Sequence, residues 1–496
     1  MRASIAALLV LGACERGPAK TEPPPPNLIV DVARASSTSL DGVRAFVNAI
    51  QPGAGVMLDE ARLLRPLDGM DLTKPMHVLI VDRGNERGIV VLAKIGDSKV
   101  VDSVQSKVTI ERRNGWAVIG KQPFLRDVAS YALSTLATAP APAVPTAIVY
   151  LPRVLALHPK ELELAREQFA GGTAGEMSEL MKRYYDGLLS VARDTEELRV
   201  TLAASAEQIG LDFAFVPKPK SRLATFIAAQ HASDFGLLSK LPDGTASMFI
   251  AGRIALGPYH DAFVAAMGTL YRIPSGDLTK ELETIMNAST GEIAMAVQMS
   301  TQGLAMTQLV ALADPAAASA ALGRVHDKIG AGMKLDLGQA SAMFKAVTPP
   351  LEHDGVTLRR LDVAYDVQSA PTEQRQALSA MMPPGGVQHE AIGTFDKLLV
   401  FAMGADTGAA ARTIDAARGK GSHFSPTPQV STLLDTARKA GDSVAMIFDL
   451  STIVGFLRGT EGTPTPLLFS LGGAGGKFHL RMVATATSIR ALVPQR

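Results

Sequence analysis

EHDGVTLRRLDVAYDV, residues 352–367, decides the fold class. It opens on Asp354-Gly355, a pair suited to a two-residue hairpin turn because a type I′ turn needs positive φ at both central positions. Val356 and Leu358 then alternate with Thr357 and Arg359, the pattern slips at Arg359-Arg360, and Leu361, Val363, Tyr365 and Val367 resume it. Alternation at period two marks a strand with one covered face. A one-residue slip marks a β-bulge. The expected scaffold is therefore antiparallel sheet.

The same grammar recurs along the chain. VTIERRNGWAVIG (108–120) places Asn114-Gly115 between two strand-like runs, and MAVQMSTQGLAMTQLVAL (295–312) places Gln302-Gly303 likewise. LRVTLAASAEQIGLDFAFV (198–216) alternates twice. Helices are expected between these pairs. Asp97, Asp314 (with Pro315 next) and Asp406-Thr407 read as helix starts, since a side-chain oxygen there accepts an orphan amide of the first turn. PKELELAREQFAG (159–171) and EMSELMKRYYDGLLSVARD (176–194) read as a helical pair, and SRLATFIAAQH (221–231) as a further helix.

Residues 74–108 and 291–325 share one layout: strand, turn, strand, Asp cap, helix. The offset is 291 − 74 = 217, and only Leu92/Leu309, Asp97/Asp314 and Val108/Val325 coincide in identity. The order of the pieces carries the expectation, not the identity. It predicts an α+β protein of two related lobes, 28–217 and 218–496, each an antiparallel sheet with packed helices.

The chain has 496 residues, enough for two to four domains. Apolar residues make up 47% and charged residues 20%, and the net charge is +1. A nucleic-acid binder would carry a basic excess that this chain lacks. No stretch of the mature chain reads as membrane-spanning, so a soluble folded part is expected.

There is one cysteine, Cys14. It follows Arg2, the apolar run Ile5–Leu11, and the small residues Gly12 and Ala13. The apolar run is too short to span a bilayer and has the form of a signal peptide. Leu11-Gly12-Ala13-Cys14 resembles the lipobox of bacterial prolipoproteins. The resemblance implies cleavage after residue 13, a lipid on Cys14, and attachment to a membrane of the cell envelope. In such lipoproteins of two-membrane bacteria Asp in the following position favours the inner membrane; with Glu15 there instead, the resemblance leans toward the outer membrane. Residues 14–27 would be a tether, with Pro23–Pro26 stiff and extended, standing the folded part off the lipid at roughly 3.1 Å per residue. The mature part also resembles, loosely, uncharacterised bacterial envelope proteins, a resemblance that implies no activity.

Catalytic motifs fail one by one. The nine histidines lie at least 27 residues apart, without metal-ligand spacing. His389-Glu390 begins like a zincin helix but continues Ala-Ile-Gly. Gly-x-Ser-x-Gly is absent, and the glycine-rich run before Lys477 has Phe478 where a P-loop needs Ser or Thr. No catalytic residue, metal or cofactor is expected. Seven methionines on strand-like stretches, Met295, Met299, Met306, Met382, Met403, Met446 and Met482, are soft enough to line an adaptable apolar surface or simply to fill a core. The expected function is that of a membrane-anchored envelope lipoprotein acting as a non-enzymatic scaffold or binding module, its partner an apolar ligand or an envelope protein. The alternative is a carrier of a lipid or other apolar ligand in a cleft of several hundred Å³ between sheet and helices. A hydrolase is the third reading, and it needs a histidine beside a serine or carboxylate in a cleft.

Overall fold

The computed structural model describes residues 22–492, apart from 35–40, 53–68, 72, 105–108, 171–175, 245, 261–276, 301, 337–340, 369–381 (other than 375 and 379) and 453–463 (other than 455). Cys14 with the expected lipobox, and the expected tether up to residue 21, lie outside the described residues. Among the described residues no helix is long and apolar enough to cross a membrane.

The chain forms two compact units. The first is made mainly of residues up to 45, 53–159 and 197–203. Its strands are β1 (Leu28–Arg34), β2 (Met76–Asp82), β3 (Arg87–Lys94), β4 (Thr109–Arg113), β5 (Trp116–Gly120), β6 (Thr146–Val149) and β7 (Thr195–Ala204). Between them run α1 (Asp41–Ile50), α2 (Ser98–Val104), α3 (Phe124–Ser134) and α4 (Leu151–Leu157). The strands pair antiparallel in the order β4-β5-β3-β2-β1-β6-β7. α3 buries Leu125, Val128 and Ala132, spaced three and four residues apart, on Leu79, Val81, Val90, Leu92 and Val118. Full burial of Leu125 alone contributes about 2 kcal/mol. Val101 of α2 packs with Ile110, Ala117 and Ile119 in a second cluster.

The second unit takes in 46–52, which includes the second half of α1, with 160–196 and 204–496. Its other elements begin with α5 (Pro159–Ala170) and α6 (Glu176–Asp194). β8 (Gln208–Pro217), α7 (Arg222–Ala228), β9 (Met248–Arg253), α8 (Asp277–Ala288), β10 (Ser289–Ser300), β11 (Gly303–Leu312) and α9 (Pro315–Gly330) follow. Then come β12 (Lys334–Asp336), β13 (Ser341–His353), β14 (Val356–Asp366), β15 (Val387–Phe395), β16 (Leu398–Gly404), α10 (Ala409–Ala417) and α11 (Pro428–Lys439). β17 (Val444–Asp449), β18 (Pro466–Gly472), β19 (Phe478–Thr485) and α12 (Ala486–Leu492) end it. These strands are antiparallel throughout, in the order β12-β13-β14-β15-β16-β11-β10-β9-β17-β18-β19-β8.

The two sheets repeat one another. The order β4-β5-β3-β2-β1-β6-β7 in the first is β15-β16-β11-β10-β9-β17-β18 in the second, with α2 matching α9 and α3 matching α10 in chain position. Register repeats too. Met76 pairs with Ala93, and adding 217 to both gives Ile293 and Val310, which pair in β10–β11. The second repeat adds β12–β14 and α11; the first adds α5 and α6 between β6 and β7. The compact units do not divide at the expected Pro217. β8 is paired with β19 from Gln208–Thr485 to Phe215–Phe478, which draws residues 204–217 into the second unit.

Asn114 and Gly115 have φ of 51° and 73°, and Asp354 and Gly355 have 49° and 76°, the two-residue turn anticipated at both places. The carboxylate of Asp97 accepts the Lys99 amide at 2.9 Å, and that of Asp314 the Ala317 amide at 3.0 Å. Asp406 does not cap α10. The cap residue is Gly408, whose amide Asp406 accepts two residues earlier, in a turn. The slip in β14 is real in burial, where Val356 and Leu358 are inside and then Leu361 and Val363. The extra residues sit on the partner strand, between Val347 and Leu351, opposite Arg359.

Candidate functional site

Each β-sheet residue faces one side or the other, so the strand order sets which side chains meet. In the second unit one side is closed. Ala251, Ala294, Leu309, Val400, Ala445, Ile447 and Leu468 pack under Ile414 of α10 and Leu433 and Leu434 of α11.

The other side carries the methionines. One row of directly paired residues runs Met482–Phe469–Met446–Ile250–Met295 across β19, β18, β17, β9 and β10. The next row runs Phe448–Met248–Val297–Met306–Met403 across β17, β9, β10, β11 and β16. Met299 shares the face by parity with Met295 and Val297. Of the seven methionines singled out in the sequence, six therefore stand on one face, and Met248 joins them; Met382 lies outside the strands. All of these residues but the buried Val297 are half-buried, and the Phe448 and Phe469 rings meet edge to face at 5.4 Å. Among the described residues, none of the buried clusters takes in Met446, Met295, Met482 or Phe469. The face is bordered by α9, which packs on Val310, Ile392, Leu399 and Phe401, and by α7, which packs on Phe215 and Phe478. The first repeat is apolar at the matching positions. Val32, Val78 and Ile89 stand where the second has Ile250, Met295 and Met306, and Ile89 is 64% exposed.

Glu390 closes the second row, paired with Met403 on one side and Leu361 on the other. Burial among these neighbours pushes its carboxyl up to about 7.

A cleft of about 120 Å³ lies at β14–β16 and the start of α10. Its lining includes Arg360, Asp362, His389, Asp406 and Thr407. His389 Nδ1 is 2.7 Å from Asp362 Oδ1, and Arg360 Nε is buried without an acceptor among the described residues. The volume is roughly that of four waters. It is far below the several hundred Å³ that an enclosed lipid calls for, so this cleft does not serve the carrier reading.

Histidine–aspartate pairs recur where the sequence suggested scatter. His77 meets Asp31 at 2.9 Å, His158 meets Asp82 at 2.9 Å, His353 meets Asp415 at 2.8 Å and His479 meets Asp212 at 2.9 Å. The partners are 46 to 267 residues apart, which no local motif can display. Only His389–Asp362 lines the cleft just described, meeting the geometric condition set for a hydrolase. No group of three His, Cys, Asp or Glu among the described residues is arranged to hold a metal.

No family model matches the chain, and no curated protein matches it. Two solved structures, crystal forms III and IV of TP0453, are similar at 7% identity and a TM-score of 0.26. The first match covers 51% of this chain and 95% of that one, the second 54% and 98%. A likeness of that size carries no argument about fold or function.

Proposed function

We propose that the chain is a lipid-anchored binding module of the cell envelope, held through Cys14, whose methionine face takes the acyl chain of a lipid. The methionine face is the observation that carries this reading. It extends about 19 Å from β19 to β10, four inter-strand spacings of about 4.8 Å, against about 15 Å for half of a bilayer's hydrocarbon core. Within that stretch no row residue named above is charged. Thioether side chains adapt to a flexible chain better than branched ones do, and a protein tethered at a membrane meets lipid before any other apolar ligand. An amphipathic helix of a partner protein would use the same chemistry, and the test separates the two.

The test is titration of the mature chain with a fluorescent fatty acid, alongside lipid extraction of the native protein. Saturable binding is expected, weakened about tenfold (about 1.4 kcal/mol) by Met446→Asp with Met295→Asp. Folding of that variant is checked by circular dichroism. Absence both of saturable binding and of extracted lipid sinks the lipid assignment. Competition by an amphipathic peptide but not by fatty acid transfers the face to a protein partner.

A further inference from the structure

The end of the expected tether is not loose. The Glu22 amide donates to Thr135 Oγ1 at 3.0 Å, and Ser130 Oγ donates to Glu22 Oε1 at 3.0 Å. Arg153 donates to the carbonyls of Pro24 at 2.8 Å and Leu28 at 2.7 Å, and its guanidinium lies 4.2 Å from the centre of the Tyr150 ring. Asn27 Nδ2 donates to Asp127 Oδ2 at 3.0 Å. The proline run is therefore bound to the first unit and does not stand it off, contrary to the expectation for residues 22–27.

Only residues 15–21 then separate Cys14 from the fixed Glu22. Eight Cα-to-Cα steps reach at most about 29 Å and usually less. The point of attachment is Thr135, and the exposed loop Thr138–Ala143 begins three residues later. Its surroundings in sequence are unusual. From Val128 to Pro152, 25 residues, there is no Asp, Glu, Lys, Arg or His. The loop itself brings no ion to desolvate at the headgroups, and the carboxylate placed beside this stretch, Glu22, is held by Ser130.

We infer that the Thr138–Ala143 loop of the first unit rests on the headgroups of the membrane that holds Cys14. The inference builds on the lipid-anchor reading and adds an orientation to it. The short leash brings this face to the lipid, and the uncharged loop lets it stay there.

The lone cysteine makes the test clean, because the thioether at Cys14 leaves no other thiol. Ala141→Cys and Glu86→Cys each take a spin label in the mature lipoprotein. Glu86 lies in the β2–β3 turn, where Arg83 pairs with Asp127 in the first turn of α3, whereas the loop follows the helix's far end, about 16 Å away. Both proteins are placed on vesicles of phosphatidylethanolamine and phosphatidylglycerol, and relaxation by a water-soluble nickel chelate is read. Loss of relaxation at Ala141 but not at Glu86 is expected, with full relaxation of Ala141→Cys restored in an unlipidated chain that starts at residue 15, which carries neither the lipid nor the apolar signal segment. Protection that persists in that background comes from the protein itself and overturns the inference. Equal relaxation at both sites, on protein whose Cys14 carries a fatty-acid label, overturns the orientation alone. Failure of Cys14 to take the fatty-acid label overturns the anchor and the orientation together.

Discussion

Glu390 stands directly across from Met403, on the β15–β16 pair, and its side chain makes no hydrogen bond or ion pair among the described residues. Desolvation by its apolar neighbours raises the carboxyl from 4.5 to about 7. Between those values the folded chain keeps a proton that the unfolded chain releases, so stability falls as pH rises and the loss is complete above about pH 7. A shift of that size corresponds to up to about 3 kcal/mol. Glu390→Gln should match the wild type in urea unfolding near pH 4 and exceed it near pH 8. Parallel pH profiles for the two proteins would show that the carboxyl is not buried in this way.

The two Asp caps make the repeat testable by energetics. Asp97→Ala and Asp314→Ala remove equivalent side-chain bonds at the starts of α2 and α9, and each should cost about 1 kcal/mol. Unfolding with a probe in each unit should place the first loss in the first unit and the second in the second.

How far the chain could be read in advance depends on the distance over which each feature is encoded. Asn114-Gly115 and Asp314-Pro315 act within four residues, and both were legible. The turn at Asp396 was not, because Asp-Lys carries no glycine, yet Asp396 takes φ of 49° to join β15 to β16. The methionines were visible as a class. Their common face was not, since it depends on β17 lying beside β9 and β16 beside β11, pairings between strands nearly 200 and about 100 residues apart. His389 looked like a failed metal motif because its partner, Asp362, lies 27 residues upstream on another strand. The proline run read as a spacer because Arg153, 129 residues on from Pro24, could not be matched to it.

Two glycines separate steric from conformational cost. Gly252 has φ of +140°, and a Cβ there would lie 2.1 Å from the Ser443 carbonyl oxygen. Gly355 has φ of +76° with nothing within 4 Å of that position. Gly355→Ala should cost about 1 kcal/mol, the left-handed penalty alone. Gly252→Ala must also push β17 from β9 and should cost about 3 kcal/mol or more. Equal losses in denaturant melts would contradict the close approach of those two strands.

The anchor itself carries the last prediction. If the Cys14 thiol bears the lipid, Cys14→Ser should leave a precursor that is neither acylated nor cut at the lipoprotein site. Each buried acyl CH₂ contributes roughly 0.8 kcal/mol, and one chain holds a protein only marginally, whereas two or more hold it firmly. The tether charges, Glu15, Arg16, Lys20 and Glu22, sum to zero, so headgroup electrostatics add little. Release of the wild type should therefore need detergent and resist high salt. Metabolic labelling with a fatty-acid analogue, with membrane fractionation of wild type and Cys14→Ser side by side, reads both effects. A wild type that takes no label and washes off in salt would leave the lipobox reading without support and the single cysteine without a role.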